Sequence, residues 1–112
     1  NLDPLSLIAD NAWCGGIVIG SPLKSWRDVD LANQPAKLSY NGEIEYTNTS
    51  AAMGNPLNSL AWLATLLAEQ GRSLKAGDIV MSGSTLATKF ANKGDRACYE
   101  VEGIGAVEVS IE

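Results

Sequence analysis

Gly54-Asn-Pro-Leu-Asn-Ser-Leu-Ala-Trp-Leu-Ala-Thr-Leu-Leu-Ala-Glu-Gln-Gly71, followed by Leu74-Lys-Ala-Gly-Asp-Ile-Val-Met-Ser-Gly-Ser84, is the stretch that organises the rest of the chain. Asn55 offers a side-chain oxygen as N-cap. Pro56 brings a fixed φ and lacks the N–H that the first helical position leaves unpaired anyway, and Gly71 can take the left-handed conformation just past the end. Both ends of a helix are therefore encoded locally. Between them Leu57, Leu60, Ala61, Ala64, Leu67 and Ala68 recur at helical spacing, while Trp62, Leu63 and Leu66 make most of the opposite side apolar. Only Asn58, Ser59, Thr65 and Glu69 remain for water. So narrow a polar strip predicts a main buried helix, covered on more than one side by sheet and by another subunit or a further part of the chain.

With 112 residues the chain is one domain or a piece of one, long enough to bury a core. No run reaches the ~18 to 20 apolar residues of a membrane span, and no basic segment leads into an apolar one at the start, so the expectation is an unexported, cytoplasmic protein. Eight basic residues against thirteen acidic ones give a net charge of −5, which disfavours nucleic acid or an anionic membrane surface as partner. The absence of histidine removes Ser-His-Asp and Cys-His catalysis, and histidine-based metal sites, from within the chain. Cys14 and Cys98 show no C-x-x-C spacing, so zinc and dithiol chemistry lack support, and a disulfide between them is disfavoured without a sign of export. The chain opens on Asn1 rather than Met, which reads as the loss or omission of something upstream.

Pro4, Leu5, Leu7 and Ile8 form a short apolar start, helical or irregular. Asp10-Asn-Ala-Trp-Cys-Gly-Gly16 runs into Ile17-Val-Ile19, a β-branched run closed by Gly20-Ser-Pro22 that reads as a short buried strand. Asp10 and Asn11 then stand at a strand mouth, where a turn or cap role is the ordinary reading of such a polar pair. Trp26 is expected to clip the polar Lys24–Asp30 connection to the body. Ala36–Tyr40 and Glu43–Thr47 flank Asn41-Gly42, the strongest short hairpin signal. A two-residue loop pairs Tyr40 with Glu43 and sets Leu38 and Tyr40 opposite Ile44 and Tyr46. A bulged three-residue loop pairs Tyr40 with Ile44 and is favoured, because it gathers all four on one face. Glu43 and Glu45 make an E-x-E pair aimed one way along a strand, as a hard cation requires, but their place after a hairpin tip reads as a solvated edge, and they are assigned no metal. Lys75–Asp78 is a turn into a strand Ile79–Met81, ended by Ser82-Gly-Ser84. Asn92–Asp95 is a similar turn into Arg96–Glu102, which reverses through Gly103-Ile-Gly105 into Ala106–Ile111, with Val101 expected opposite Val107 and Tyr99 opposite Val109. The fold class is α+β, strand-rich with one main helix.

The helix segment, Leu74-Lys-Ala-Gly-Asp-Ile-Val80, the Ser82-Gly-Ser84 tip, Glu102-Gly-Ile-Gly-Ala-Val107 and Ile8-Ala-Asp-Asn-Ala12 together resemble the fumarylacetoacetate hydrolase superfamily. Within it they are most similar to the 2-keto-4-pentenoate hydratase and 4-oxalocrotonate decarboxylase group. The resemblance implies a mixed β-sheet with the helix packed against it, and it makes residues 1–112 a single domain forming the C-terminal portion of a longer hydratase-type catalytic domain. It also implies Mg²⁺ or Mn²⁺ held by three carboxylates that lie, with a catalytic lysine, upstream of the Asp10-Asn11 segment. No residue here is thereby assigned as catalytic or metal-binding. Two pieces of a substrate site carry over. Gly83 and Ser84 resemble a Thr-Gly-Thr or Thr-Gly-Ser turn whose backbone N–H and hydroxyl receive a substrate carboxylate, and the alternative is a plain Ser/Gly turn. Asp10, Asn11 and Trp13 resemble an Asp-Asn-Ala-Ser wall of the same pocket, with Trp13 in place of the common Ser, which reshapes the pocket.

The function so implied is a part of a metal-dependent lyase, hydratase or decarboxylase, acting on 2-oxo or 2-hydroxydienoate acids of aromatic-compound catabolism, within a homo-oligomer. Acylpyruvate-type C–C hydrolysis is a further family chemistry. The alternative from another class is a non-catalytic folded remnant that self-associates through its helix.

Overall fold

A computed structural model of the protein describes residues 3–112. The helix ends form as their residues dictate. Helix α2 spans Pro56–Glu69, and the Asn55 side chain accepts the Leu57 N–H at 2.9 Å. At the other end Gly71 takes φ +68°, with Arg72 N–H on Leu67 O at 2.8 Å and Gly71 N–H on Ala68 O at 3.0 Å, the paired bonds of a Schellman closure. A short helix α1, Pro4–Ala9, is capped by Asp3, whose carboxylate takes the Ser6 N–H at 3.1 Å and the Ser6 hydroxyl at 2.9 Å and is held below its ordinary pKa chiefly by that hydroxyl.

The strands β1 (Pro35–Tyr40), β2 (Glu43–Asn48), β3 (Arg96–Val101) and β4 (Gly105–Ser110) form one four-stranded sheet in the order β2-β1-β3-β4. Every pairing among them is antiparallel, where the resemblance implied a mixed sheet. The strand-rich α+β architecture with one main helix is as expected. The first hairpin corrects the favoured register. Tyr40 pairs with Glu43 and Leu38 with Glu45, so the loop has two residues, with Asn41 at φ +51° and Gly42 at φ +88°. Two left-handed residues match the twist of the flanking strands better than a bulge does. The consequence is large, because a one-residue change of register reverses every side chain. Leu38 and Tyr40 share the inner face with Glu45 and Thr47, while Ile44 and Tyr46 lie on the outer face, 52% and 78% exposed.

In the second hairpin Val101 pairs with Gly105 and Tyr99 with Val107, two residues away from the expected partners. A shift of two preserves the faces, so Tyr99, Val101, Val107 and Val109 still point inward, with Glu100 and Glu108 outward. The two hairpins are joined along β1 and β3, with Leu38 opposite Tyr99.

Two expected strands form no ladder. Ile17–Ile19 and Ile79–Met81 carry no regular secondary structure and no ladder pairing, with Ile19 65% and Met81 72% exposed. Their β-branched composition suits a buried strand, but no described strand is hydrogen-bonded to either, so composition alone does not place them in the sheet. The helix also departs from expectation, since no residue of α2 is buried within the chain. Ser59, Leu63, Leu66 and Leu67 turn inward and are half-buried, whereas Leu57, Leu60 and Trp62 are exposed. The helix is thus packed on one side only. Among the described residues the buried set is Ala36, Thr49 and Ala52, at the strand ends where the chain enters and leaves the first hairpin.

Candidate functional site

The inner face of the sheet is roofed by the run from Ser82 to Lys89, and the two enclose a cavity of about 510 Å³ that also reaches the start of α2 at Pro56. That volume lies within the ~300–1,000 Å³ of small-molecule sites. Leu38, Tyr99 and Val101 form the sheet wall, with Leu31 and Ile104 beside them. Four contacts hold the roof in place. The Ser59 hydroxyl donates to Ser82 O at 2.6 Å, tying the tip to α2. The Thr47 hydroxyl donates to Thr85 O at 2.8 Å, and the Thr85 and Tyr99 hydroxyls are 2.7 Å apart. The Lys89 ammonium meets Glu45 Oε1 on the inner face of β2. The E-x-E pair is therefore divided in use: Glu45 anchors Lys89, and Glu43 stays exposed beside the hairpin tip.

Gly83 and Ser84 line the cavity as the sequence proposed for a carboxylate-binding tip. Gly83 sits at φ +112°, a conformation open to glycine and costly for other residues. The Ser84 hydroxyl donates to Leu86 O and receives the Leu86 N–H at 3.4 Å, so in this state it closes its own turn. Among the described residues the Gly83 and Ser84 N–H groups have no acceptor, which leaves two backbone donors at the cavity wall.

Asp10, Asn11 and Trp13 do not line this cavity. Asp10 ends α1, and Asn11, Ala12 and Trp13 follow with φ of +50°, +51° and +64°, three consecutive left-handed residues. Asparagine tolerates that region, but alanine and tryptophan pay roughly 1–2 kcal/mol each, a strain of the kind that marks functional turns. Trp13 meets Phe90 edge-on with ring centroids 6.3 Å apart. Phe90 directly follows Lys89, so this turn stands at the far end of the roof from Ser84.

A group missed in the sequence lies at the sheet's other end. The Asp95 carboxylate accepts the Tyr40 hydroxyl, the Asn41 side-chain amide at 2.9 Å and the Asn92 N–H at 2.8 Å. The Asn92 N–H, then Tyr40 and Asn41, hold its pKa below the ordinary carboxylate value, while the bond to Asp95 raises that of Tyr40. The turn signal at Asn92–Asp95 was legible, but its contact with the first hairpin, more than fifty residues away, was not.

The resemblance implies a divalent ion. Among the described residues no group of three or more His, Cys, Asp or Glu side chains is placed to hold one. With Glu45 paired to Lys89, the donor set of the described residues does not fit such an ion. Cys14 and Cys98 are unpaired, and no helix of the described residues is long and apolar enough to cross a membrane.

This combination of antiparallel sheet, capped helix and glycine-hinged tip has known counterparts. Residues 1–112 match the fumarylacetoacetate (FAA) hydrolase C-terminal family, and the chain belongs to that family. Among its relatives, the 4-oxalocrotonate decarboxylase of Pseudomonas putida is 36% identical over 106 residues, 94% of this chain and 40% of the relative. The 2-keto-4-pentenoate hydratase of Paraburkholderia phymatum is 38% identical over 104 residues, 92% of this chain and 40% of the relative. The solved structure of 4-oxalocrotonate decarboxylase from Pseudomonas putida G7, complexed with calcium and acetate, superposes with a TM-score of 0.88 at 34% identity, over 98% of this chain and 43% of that one. The same enzyme complexed with magnesium and adipate gives an equal TM-score. The chain thus spans about two-fifths of the length of the relatives it matches.

Proposed function

We propose that this chain supplies the carboxylate-receiving wall of a metal-dependent lyase, a hydratase or decarboxylase of 2-oxo and 2-hydroxydienoate acids in aromatic-compound catabolism. In this reading residues 1–112 form one domain and serve as the C-terminal portion of a longer catalytic domain, in a cytoplasmic homo-oligomer. The observation that carries it is the Gly83-Ser84 tip, whose two N–H groups have no acceptor among the described residues and which borders a cavity of small-molecule size. Relatives named for hydration and decarboxylation of such acids, and a structural neighbour complexed with calcium and acetate or with magnesium and adipate, support the substrate class. In the full enzyme Mg²⁺ or Mn²⁺ would be held by groups other than those described here. Asp10, Asn11 and Trp13 lie outside the described cavity, and in this reading their strained turn, held to Phe90 through Trp13, belongs to the surroundings of the site and not to its lining. Substrate positioning is then the chain's own contribution: backbone N–H groups and a rotated Ser84 hydroxyl take the carboxylate and fix the acid against the apolar sheet face.

The test is an NMR titration of the protein with 2-oxobutanoate. The Gly83 and Ser84 amide signals are expected to move first, and Ser84→Ala weakens binding by roughly 1–3 kcal/mol with the fold intact. An acid that leaves those amides unmoved, or Ser84→Ala that lowers stability at unchanged affinity, favours the plain-turn reading.

A second reading is favoured by the exposed apolar residues of α2, Leu57 and Leu60 on one flank of the helix and Trp62 on the other. Large apolar side chains left exposed on both flanks suit self-association through the helix. Leu57→Glu adds a charge there while the helix N-terminus tolerates it well. Sedimentation showing a monomer for the unmodified protein, or an oligomer indifferent to Leu57→Glu, removes this reading.

A further inference from the structure

We propose that Asn41 is a hydrolytic modification site latched shut by Asp95: when the first hairpin tip opens, the Asn41 side-chain amide is lost to water, and the aspartyl or isoaspartyl residue left behind cannot rebuild the latch. Asn41 takes no part in lining the cavity under the roof.

Asn41-Gly42 is the single Asn-Gly step of the chain. Such a step is prone to ring closure, because the glycine has no side chain to shield its backbone nitrogen from the asparagine Cγ. That nitrogen attacks the amide carbon: the N–Cγ bond forms, the Cγ–Nδ2 bond breaks, and Nδ2 leaves as ammonia with the proton of the Gly42 N–H. Water then opens the five-membered imide at the side-chain carbonyl to give aspartate, or at the main-chain carbonyl to give isoaspartate. The sum is water consumed and ammonia released.

The tip presents one partner of this reaction and withholds the other. Asn41 and Gly42 are both exposed to water, a Cβ built on Gly42 would meet nothing, and the Gly42 N–H has no acceptor among the described residues. The Asn41 amide, by contrast, is held at both atoms. Its Nδ2 donates to Asp95 Oδ1 at 2.9 Å, and its Oδ1 accepts the Arg96 N–H at 2.9 Å. The Asn41 backbone N–H donates to Arg96 O at 2.9 Å as well, so the residue is tied to the start of β3 from side chain and main chain. The backbone conformation adds a further restraint. At φ +51° Asn41 sits in the left-handed region, where the following nitrogen is turned away from Cβ across the Cα–C bond, whereas ring closure needs the two side by side. The Arg96 N–H polarises the carbonyl, yet polarisation is useless to a nucleophile that cannot reach it. Turn and latch must therefore open together before the amide reacts. What closes afterwards is different. An aspartate at position 41 brings a second carboxylate to Asp95, where the amide had donated a hydrogen bond, and the like charges repel. An isoaspartate also adds a main-chain carbon to a two-residue loop, and that loop sets the pairing of β2, whose Glu45 and Thr47 hold the roof.

The experiment incubates the protein in mildly alkaline buffer, with and without urea, and follows Asn41 by tandem mass spectrometry of the tryptic peptide 38–72. The folded chain should convert slowly and the same chain in urea quickly, with Asn41 leading the other asparagines of the peptide. Asp95→Ala removes the acceptor and should raise the folded-state rate about tenfold, the gain in opening that loss of one charge-assisted hydrogen bond brings. Thr49→Val loosens the opposite end of the sheet and should leave the rate unchanged. Asn41→Asp, which installs one product directly, should melt below the unmodified protein, and by a smaller margin when Asp95 is already alanine. Conversion as fast in the folded protein as in urea, a comparison that needs no variant to fold, overturns the proposal. So does an unchanged rate in Asp95→Ala, an equal acceleration in Thr49→Val, no conversion of Asn41 in urea, or an Asn41→Asp variant that melts with the unmodified protein.

Discussion

The antiparallel sheet and the two β-branched runs Ile17–Ile19 and Ile79–Met81 use the same residue vocabulary, yet only the sheet finds partners within the chain. The difference lies in what each needs. A hairpin needs a turn and two alternating segments a few residues apart, and the loops at Asn41-Gly42 and Glu102–Ile104 supply both. A buried strand needs neighbours far away in sequence, and no local signal shows whether they exist. The sheet is also locked from its ends. Thr49 and Gln34 exchange a pair of hydrogen bonds where β1 begins and β2 has just ended, and Asp95 gathers Tyr40, Asn41 and Asn92 at the opposite end. The extended runs have no comparable clasp among the described residues, apart from Gly20, which presses against β4.

Thr49→Val should show the largest effect on the locked region. The Gln34 N–H donates to the buried Thr49 hydroxyl at 2.8 Å, and the isosteric valine leaves that donor unpaired, at a cost of about 2 kcal/mol in chemical denaturation. Gly20→Ala probes where the segment just after Ile17–Ile19 meets β4. A Cβ at Gly20 lies 2.9 Å from Val107 Cγ1, so the substitution should destabilise by about 1 kcal/mol. If stability is unchanged, the run is not seated on β4.

The Asp95 clasp makes stability depend on pH from both sides. Its folded pKa lies below the ordinary aspartate value of 3.8, so the unfolded chain takes up the proton first as pH falls, and stability is present above 3.8 and lost as pH falls through the folded value. Tyr40 is raised above 10.0, so its share is present below pH 10.0 and is lost as pH rises through the folded value. Thermal melts across pH should show both declines. Asp95→Asn should flatten the acid one, and a decline of equal steepness in that variant would remove the assignment. The smallest effect belongs to the unpaired runs: Ile79→Thr, at a side chain 61% exposed, should shift stability by no more than ~0.5 kcal/mol. A larger loss would mean that Ile79 is packed after all, and the contrast between the regions would narrow.

What the sequence made legible follows the same division. Asn55, Pro56 and Gly71 fixed both ends of α2, because caps act over three or four residues. The face of α2 that turns inward was misjudged: with Trp62, Leu57 and Leu60 all apolar, periodicity offers no polar side to orient it. The first hairpin's position was legible from Asn41-Gly42, but its register was chosen to gather hydrophobic residues, and the left-handed turn geometry overrode that choice. At the site, the Gly83-Ser84 tip was visible through family resemblance. Lys89 was not, since its meaning depends on Glu45 of the other hairpin strand forty-four residues away.

Amide hydrogen exchange, measured with and without 2-oxobutanoate, tests most directly the claim that a self-sufficient sheet carries a ligand-receiving roof. The account predicts slow exchange at the ladder amides of β1 and β3 in both conditions, fast exchange through Ile17–Ile19 and Ile79–Met81, and ligand-induced slowing centred on Gly83 and Ser84. Uniform protection across sheet and extended runs, or slowing by the acid confined to residues outside Ser82–Lys89, would contradict it.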